Sequence, residues 1–220
     1  DISFSLKPGK TTAIIGGTGS GKSTILNLIP RLQDPTSGEI LIDGENIKNF
    51  KLKSLRDKIS FTPQKAILFQ GTLKSNLQTG KNDATDDEIN HALSLAQVDF
   101  VENLDEEVTQ GGSNFSGGQK QRLSIARAII GKHEFYLFDD CFSALDMNTE
   151  RKIKENLKNL KESSVLIVSQ RISTIMDADE ILVIDNGEIV DRGTHTTLVE
   201  NSDIYREIAN TQIDSMEAAL

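Results

Sequence analysis

The stretch GGTGSGKST, Gly16 to Thr24, fits the spacing G-x-x-x-x-G-K-[ST] at Gly16, Gly21, Lys22 and Ser23. An apolar run, TTAII, precedes it and a helical pattern, STILNLI, follows, so it reads as a strand-to-helix loop. Gly16, Gly17, Gly19 and Gly21 let backbone N–H groups turn inward around the oxygens of an anion, and the helix start adds its positive dipole end. Thr18, Ser20 and Thr24 complete the candidate loop. At this spacing Lys22 reaches the β- and γ-phosphates of a nucleotide, and Ser23 is a candidate ligand of Mg²⁺.

A second stretch, FYLFDDCFSALD, ends a hydrophobic run on two adjacent aspartates, Asp139 and Asp140. An apolar strand ending in one carboxylate says little alone. After a phosphate cradle it supplies a metal-organising acid, and Asp139 takes that role through a water. The second carboxylate, Asp140, has no role in that scheme and calls for an explanation.

These residues need a scaffold. TTAII and EILI near residue 40 end in apolar runs, and FYLF at 135–138, VLIV at 165–168 and ILVI at 181–184 are apolar throughout; runs without alternation suit strands buried on both faces. The opening DISFSL alternates as a strand does. Helical spacing occupies roughly 22–30, 86–98, 117–131 and 149–161. Strand–helix alternation predicts an α/β fold with a mainly parallel sheet. The stretch from about 65 to 131 holds two good helices and no convincing buried strand, so it reads as an inserted helical subdomain. DNGEIVDRG predicts a hairpin turn at Asn186-Gly187, followed by short helices to Leu220.

Composition bounds the rest. The chain has 220 residues, 37% of them hydrophobic, enough for one domain with a real core. No apolar stretch approaches the roughly 18 residues that cross a bilayer, and no leader pattern opens the chain. It begins at Asp1 in the middle of an alternating pattern, and is read as a piece of a longer polypeptide. The one cysteine, Cys141, excludes an internal disulfide and fits a reducing compartment. A net charge of −9 argues against nucleic acid as the partner.

NFSGGQKQRLSIARAI resembles the signature motif of ATP-binding cassette (ABC) proteins, usually L-S-G-G-Q, with Phe115 in the Leu position and Ser116, Gly117, Gly118 and Gln119 matching. S-x-x-Q is also a capping box, with Ser116 as N-cap and Gln119 at N3. Both readings hold together. SFTPQ resembles the family's Q-loop, making Gln64 a candidate contact to Mg²⁺ and the attacking water. SALD resembles the D-loop, with Asp146 facing a partner, and ILFQGTLKSNL resembles the exporter version of the region that receives a coupling helix.

The resemblance implies a P-loop NTPase core, RecA-like, over 1–64 and 132–220, a helical signature subdomain over 65–131 and a small antiparallel β portion. It implies ATP and Mg²⁺ as cofactors. It also implies a transmembrane domain docked near residues 64–77, a second nucleotide-binding domain, and a place on the cytoplasmic side of the cell membrane. The signature of such a chain reaches the ATP held by its partner. The aromatic residue that stacks on adenine in the family lies upstream of Asp1.

The sequence departs from the family in three places. Active members carry Glu after the strand-ending Asp, and here it is Asp140; they carry a switch His where LIVSQRIST has Gln170. His91, His133 and His195 read as surface residues, and Gln110 stands where exporters usually have Glu. Asp is one methylene shorter than Glu, about 1.5 Å of lost reach, and about 1 Å of misplacement can cost roughly a hundredfold in rate. Gln170 donates a neutral hydrogen bond and cannot carry a His's positive charge.

Both changes fall in the chain's own site, while the signature that serves the opposite site is nearly intact. The expectation is therefore the degenerate half of a heterodimeric exporter, paired with a non-identical domain that carries the active Glu and His. A homodimeric exporter domain with slow hydrolysis at both sites, a soluble non-transport ABC ATPase and a non-hydrolytic regulatory module are the alternatives.

Overall fold

A computed structural model describes residues 1–217, with side chains described through residue 212; the last three residues of the helical run expected to reach Leu220 lie outside the described residues. β1 (Thr11–Gly16) leads through the glycine loop into α1 (Lys22–Leu28), and β2 (Leu41–Ile42) and β3 (Glu45–Asn46) make a small hairpin. α2 (Leu52–Asp57) precedes β4 (Ile59–Thr62). Then come β5 (Gly71–Thr72), α3 (Leu73–Gln78), α4 (Asp86–Leu95), β6 (Glu107–Val108) and α5 (Gly117–Ile129). The chain returns through β7 (Phe135–Asp139), α6 (Met147–Leu157), β8 (Ser164–Val168) and α7 (Ile172–Ile175). It ends with β9 (Glu180–Asp185), β10 (Glu188–Gly193), α8 (His195–Asn201) and α9 (Asp203–Glu217).

One six-stranded sheet runs in the order β10-β9-β1-β8-β7-β4. Its strands are parallel except β10, which pairs antiparallel with β9. The apolar runs behave as the period of a strand requires. In β7, Tyr136 and Phe138 enter one core cluster and Leu137 the other; in β8, Val165 and Ile167 oppose Leu166 and Val168. Both faces of these strands are dry, which is why every position is apolar. The fold is the P-loop α/β architecture with a mainly parallel sheet and small antiparallel additions.

Three local expectations change. EILI is not a strand of the main sheet. Leu41 and Ile42 pair with Asn46 and Glu45 across Asp43-Gly44, both at positive φ, so the dipeptide folds the run onto itself. Leu41 is consequently exposed while Ile42 is buried. DISFSL keeps its alternation, with Ile2, Phe4 and Leu6 packed against the second cluster, but forms no strand.

Conversely, β4 is a main-sheet strand that its mixed sequence, ISFT, conceals. Ser60 can lie inside because its hydroxyl donates to the Ala128 carbonyl of α5 at 2.9 Å. The Asn186-Gly187 turn forms as expected, with φ of 48° and 80°. The carboxyl ends of β1, β7 and β8 lie side by side, where ligand clefts of open α/β sheets form.

Candidate functional site

The glycine loop is built by two constraints. Gly16 ends β1 so close to β9 that an added Cβ would stand 2.1 Å from the Ile184 carbonyl oxygen. Gly21 turns the chain into α1 at φ 97°, in the left-handed region that favours glycine. Within the loop the Lys22 ammonium donates to the carbonyls of Gly16 at 2.8 Å and Gly17 at 2.6 Å, and to the Ser20 hydroxyl at 3.2 Å. All three of its protons therefore have acceptors, so an anion entering here must take one of them. Burial lowers the Lys22 ammonium from its ordinary range, while Asp140 and Asp139 raise it.

Asp139 stands at the end of β7, nearly buried, and its Oδ1 accepts from the Ser23 hydroxyl at 3.0 Å. Burial pushes its carboxyl up; the Ser23 hydrogen bond pulls down, the charge of Asp140 pushes up and Lys22 pulls down. Asp140 follows at φ 43°, a left-handed position for a residue with a side chain. Two backbone bonds hold it there: its N–H donates to the Val168 carbonyl at 2.8 Å, and its own carbonyl accepts from Ser143 Oγ at 2.8 Å. Its carboxylate accepts from Gln64 Nε2 at 3.2 Å and, more weakly, from Ser169 Oγ at 3.5 Å. The neighbouring Cys141 is buried, and burial pushes its thiol well up, so it is no nucleophile.

Thr18, Gly19, Gly21, Lys22, Ser23, Thr24, Gln64, Asp139, Asp140, Val168 and Gln170 line one cleft of about 270 Å³. The adjacent aspartates thus divide: Asp139 meets Ser23 of the loop and Asp140 meets Gln64. Ser23 hydroxyl, Asp139 carboxylate and Gln64 amide are hard oxygen donors of the kind Mg²⁺ accepts, and Mg²⁺ completes its shell with waters and phosphate oxygens. Among the described residues no cluster of three or more His, Cys, Asp or Glu offers an all-protein metal cage, as that mode of binding allows. A larger hollow of about 390 Å³ lies beside His133 and Lys132, but its Lys81 and Glu88 are paired with each other and no residue of the 16–24 loop lines it.

Ser116, Gly117, Gly118, Gln119 and Asp146 are absent from this cleft. Ser116 caps α5: its side chain accepts from Gln119 N–H at 3.3 Å, and Gln119 Oε1 accepts from Ser116 N–H at 2.8 Å. Gly117 has open space where a Cβ would be, whereas a Cβ on Gly118 would sit 3.1 Å from the Ala144 carbonyl. Asp146 caps α6, accepting from the N–H groups of Asn148 at 3.1 Å and Thr149 at 3.0 Å. Hydrogen bonds from Thr149 and the Asn148 amide hold its carboxyl below the usual range.

Three contributors escaped the sequence. Gln121, buried on α5, donates to the Gln64 carbonyl at 3.4 Å. Ser169 joins Asp140 to the segment before α7, and Gln212 of α9 bonds the Gln170 carbonyl. The second Gln of GGQKQR, polar on the buried face of a helix, is a signal for Gln121; nothing near Gln212 points 42 positions back.

Comparison with known proteins adds to the geometry. The family described as "ABC transporter" matches residues 1–143. The chain is 45% identical over 219 residues to an uncharacterized ABC transporter ATP-binding protein of Mycobacterium tuberculosis, covering 96% of this chain and 38% of that protein. It is 46% identical over 218 residues to a putative multidrug export ATP-binding/permease protein of Staphylococcus aureus, again 96% against 38%. A solved structure of a bacterial Atm1-family ABC exporter with ATP bound superposes with a TM-score of 0.91 at 35% identity, covering 96% of this chain and 38% of that one. The chain thus spans about two fifths of the length of these relatives.

Proposed function

The chain belongs to the ABC transporter family, and we propose that it is the ATP-binding domain of an exporter whose own site is catalytically weak. The observation that carries this is a single cleft holding Lys22 with its loop, the Ser23–Asp139 pair and the Asp140–Gln64 pair, with the signature residues outside it. The absence of the signature residues from this cleft supports a role for them at a second one.

Each residue then has a distinct task. The loop amides of Gly16 to Thr24 and Lys22 bind the phosphates of ATP. Ser23, Gln64 and, through a water, Asp139 would hold Mg²⁺, and the ion would supply charge neutralisation. Asp140 occupies the general-base position with a carboxylate that Gln64 and Ser169 hold. Gln170 lines the γ-phosphate end with a neutral amide. Ser116 to Gln119 present the capped start of α5 to the nucleotide of a non-identical partner domain that carries the Glu and His missing here. Asp146 faces that partner across the interface.

A division into a core over 1–64 and 132–220 and a signature subdomain over 65–131 is supported by the chain leaving the main sheet after β4 and returning at β7. Docking of a membrane domain near 64–77 is supported by Ile67 and Phe69, both more than half exposed. Their backbone is fixed: Arg127 donates to the Ile67 carbonyl at 2.9 Å, and the buried Asn76 amide exchanges hydrogen bonds with both backbone groups of Phe69. No described helix is long and apolar enough to cross a membrane. The membrane-spanning part would belong to another segment or chain, with this domain on its cytoplasmic side.

One observation favours the homodimeric alternative. Asp140 is buried and hydrogen-bonded to Gln64, as a working base would be. Measuring ATP turnover of the chain alone, over concentrations that drive self-association, separates the two readings. Turnover that rises to a steady exporter-like rate favours two equal sites, and persistent binding with very slow turnover favours the degenerate one.

A further inference from the structure

We infer that Gln212, on α9, is a positioning residue that fixes Gln170 over the cleft. This rests on the proposed reading that Gln170 meets the γ-phosphate.

Both ends of one amide are used. Gln212 Nε2 donates to the Gln170 carbonyl at 2.6 Å, and its Oε1 accepts from the Ile172 N–H at 2.9 Å. These groups lie on either side of Arg171, so the amide sets the local path of the backbone. Ile172 is the first residue of α7, and its N–H has no acceptor within that helix. The residue in the capping position, Arg171, makes no side-chain cap bond. The cap is supplied instead by α9, 40 residues later in the chain.

The rest of the segment is anchored separately. Ser169 N–H donates to the Ile14 carbonyl at 3.1 Å, and Arg171 N–H to the Ser169 hydroxyl at 3.0 Å. Beyond it, α6 holds the far side through Glu150 to Arg171 at 3.5 Å and Lys154 to the Ser173 carbonyl at 3.1 Å. The Gln170 side chain is exposed and lines the cleft. Its position is therefore inherited from its backbone, and the carbonyl of that backbone is held by Gln212.

A residue that merely docked α9 would affect every nucleotide alike. A residue that places Gln170 affects only those with a γ-phosphate. The test is calorimetric titration of the full chain with Mg-ATPγS and with Mg-ADP, for the parent, Gln212→Ala, Gln212→Glu, Gln170→Ala and the double variant Gln170→Ala with Gln212→Ala. Gln212→Glu keeps the bulk and the acceptor for Ile172 while losing the donor to Gln170.

We expect Gln212→Ala to lower ATPγS affinity about two- to tenfold, the scale of one net hydrogen bond, with ADP affinity unchanged. Gln212→Glu should move in the same direction. Adding Gln212→Ala to Gln170→Ala should lower the affinity no further, because both act through one contact. If Gln170→Ala weakens ATPγS selectively and neither Gln212 variant does, the positioning role is overturned and the reading of Gln170 stands. If Gln170→Ala has no selective effect, that reading fails and the inference with it. An equal loss for ADP and ATPγS would make Gln212 a structural contact only, which also overturns it.

Discussion

The hydroxyl of Ser23 and the carboxylate of Asp139, 116 positions apart, meet at 3.0 Å. This contact joins the loop after β1 to the end of β7 and places two hard oxygen donors side by side in the cleft. It also separates the tasks of the two aspartates, since Asp140 turns at positive φ toward Gln64 instead.

Lys22 is the main cation of the cleft, so Lys22→Ala should abolish tight Mg-ATP binding. Hydrogen bonds to charged groups contribute about 1.5–3 kcal/mol each, and loss of two would lower affinity about a hundredfold or more. Isothermal titration calorimetry checks this, with circular dichroism confirming the fold. Unchanged affinity would remove the phosphate-cradle role.

Ser116→Ala should slow turnover at the partner's site while leaving ATP binding to this chain nearly unchanged. It also removes a helix cap, costing about 0.5–2 kcal/mol of stability, so turnover is compared at temperatures well below unfolding. Gly118→Asp is the less clean probe, because its Cβ alone would press on the Ala144 carbonyl at 3.1 Å. Gly117, with open space around it, accepts a side chain without that push. Full turnover by the assembled Ser116→Ala complex would contradict a trans role.

Asp146 gives a pH signature of its own. Its carboxyl titrates below the usual range when folded, because Thr149 and the Asn148 amide hydrogen bond to the charged form. The sign follows from linkage: stability from this cap is present above the unfolded value of about 3.9 and is lost as pH falls through the lower folded value. The unfolding midpoint of Asp146→Ala should therefore lie below that of the parent at neutral pH, and the gap should close in acid. A gap that is constant with pH would show that the cap's charge contributes nothing.

Much of this was legible in the sequence because the responsible forces are local or periodic. Runs such as FYLF and VLIV are apolar throughout since each strand is buried on both faces, and the glycine loop and the capping box are short-range patterns. What escaped was long-range or masked. β4 hides because Ser60 is polar yet satisfied by Ala128 of another element. EILI misleads because Asp43-Gly44 turns the chain after two residues. Gln212 acts 42 positions from the Gln170 carbonyl it holds, and no local pattern carries that information.

The central claim, that this chain's own site contributes little hydrolysis, rests on Asp140 and is tested most directly there. Asp140→Asn removes the base while keeping an acceptor for Gln64 and a residue type that tolerates positive φ. On the proposed reading turnover would run at a Glu of the partner domain, so steady-state ATPase of the assembled complex should remain near the parent level. Asp140→Glu combined with Gln170→His should raise turnover at this site more than either change alone, since base and γ-phosphate contact act on one transition state. Collapse of the Asp140→Asn complex to the rate seen when the partner's Glu is removed would make Asp140 a working catalytic base and contradict the claim.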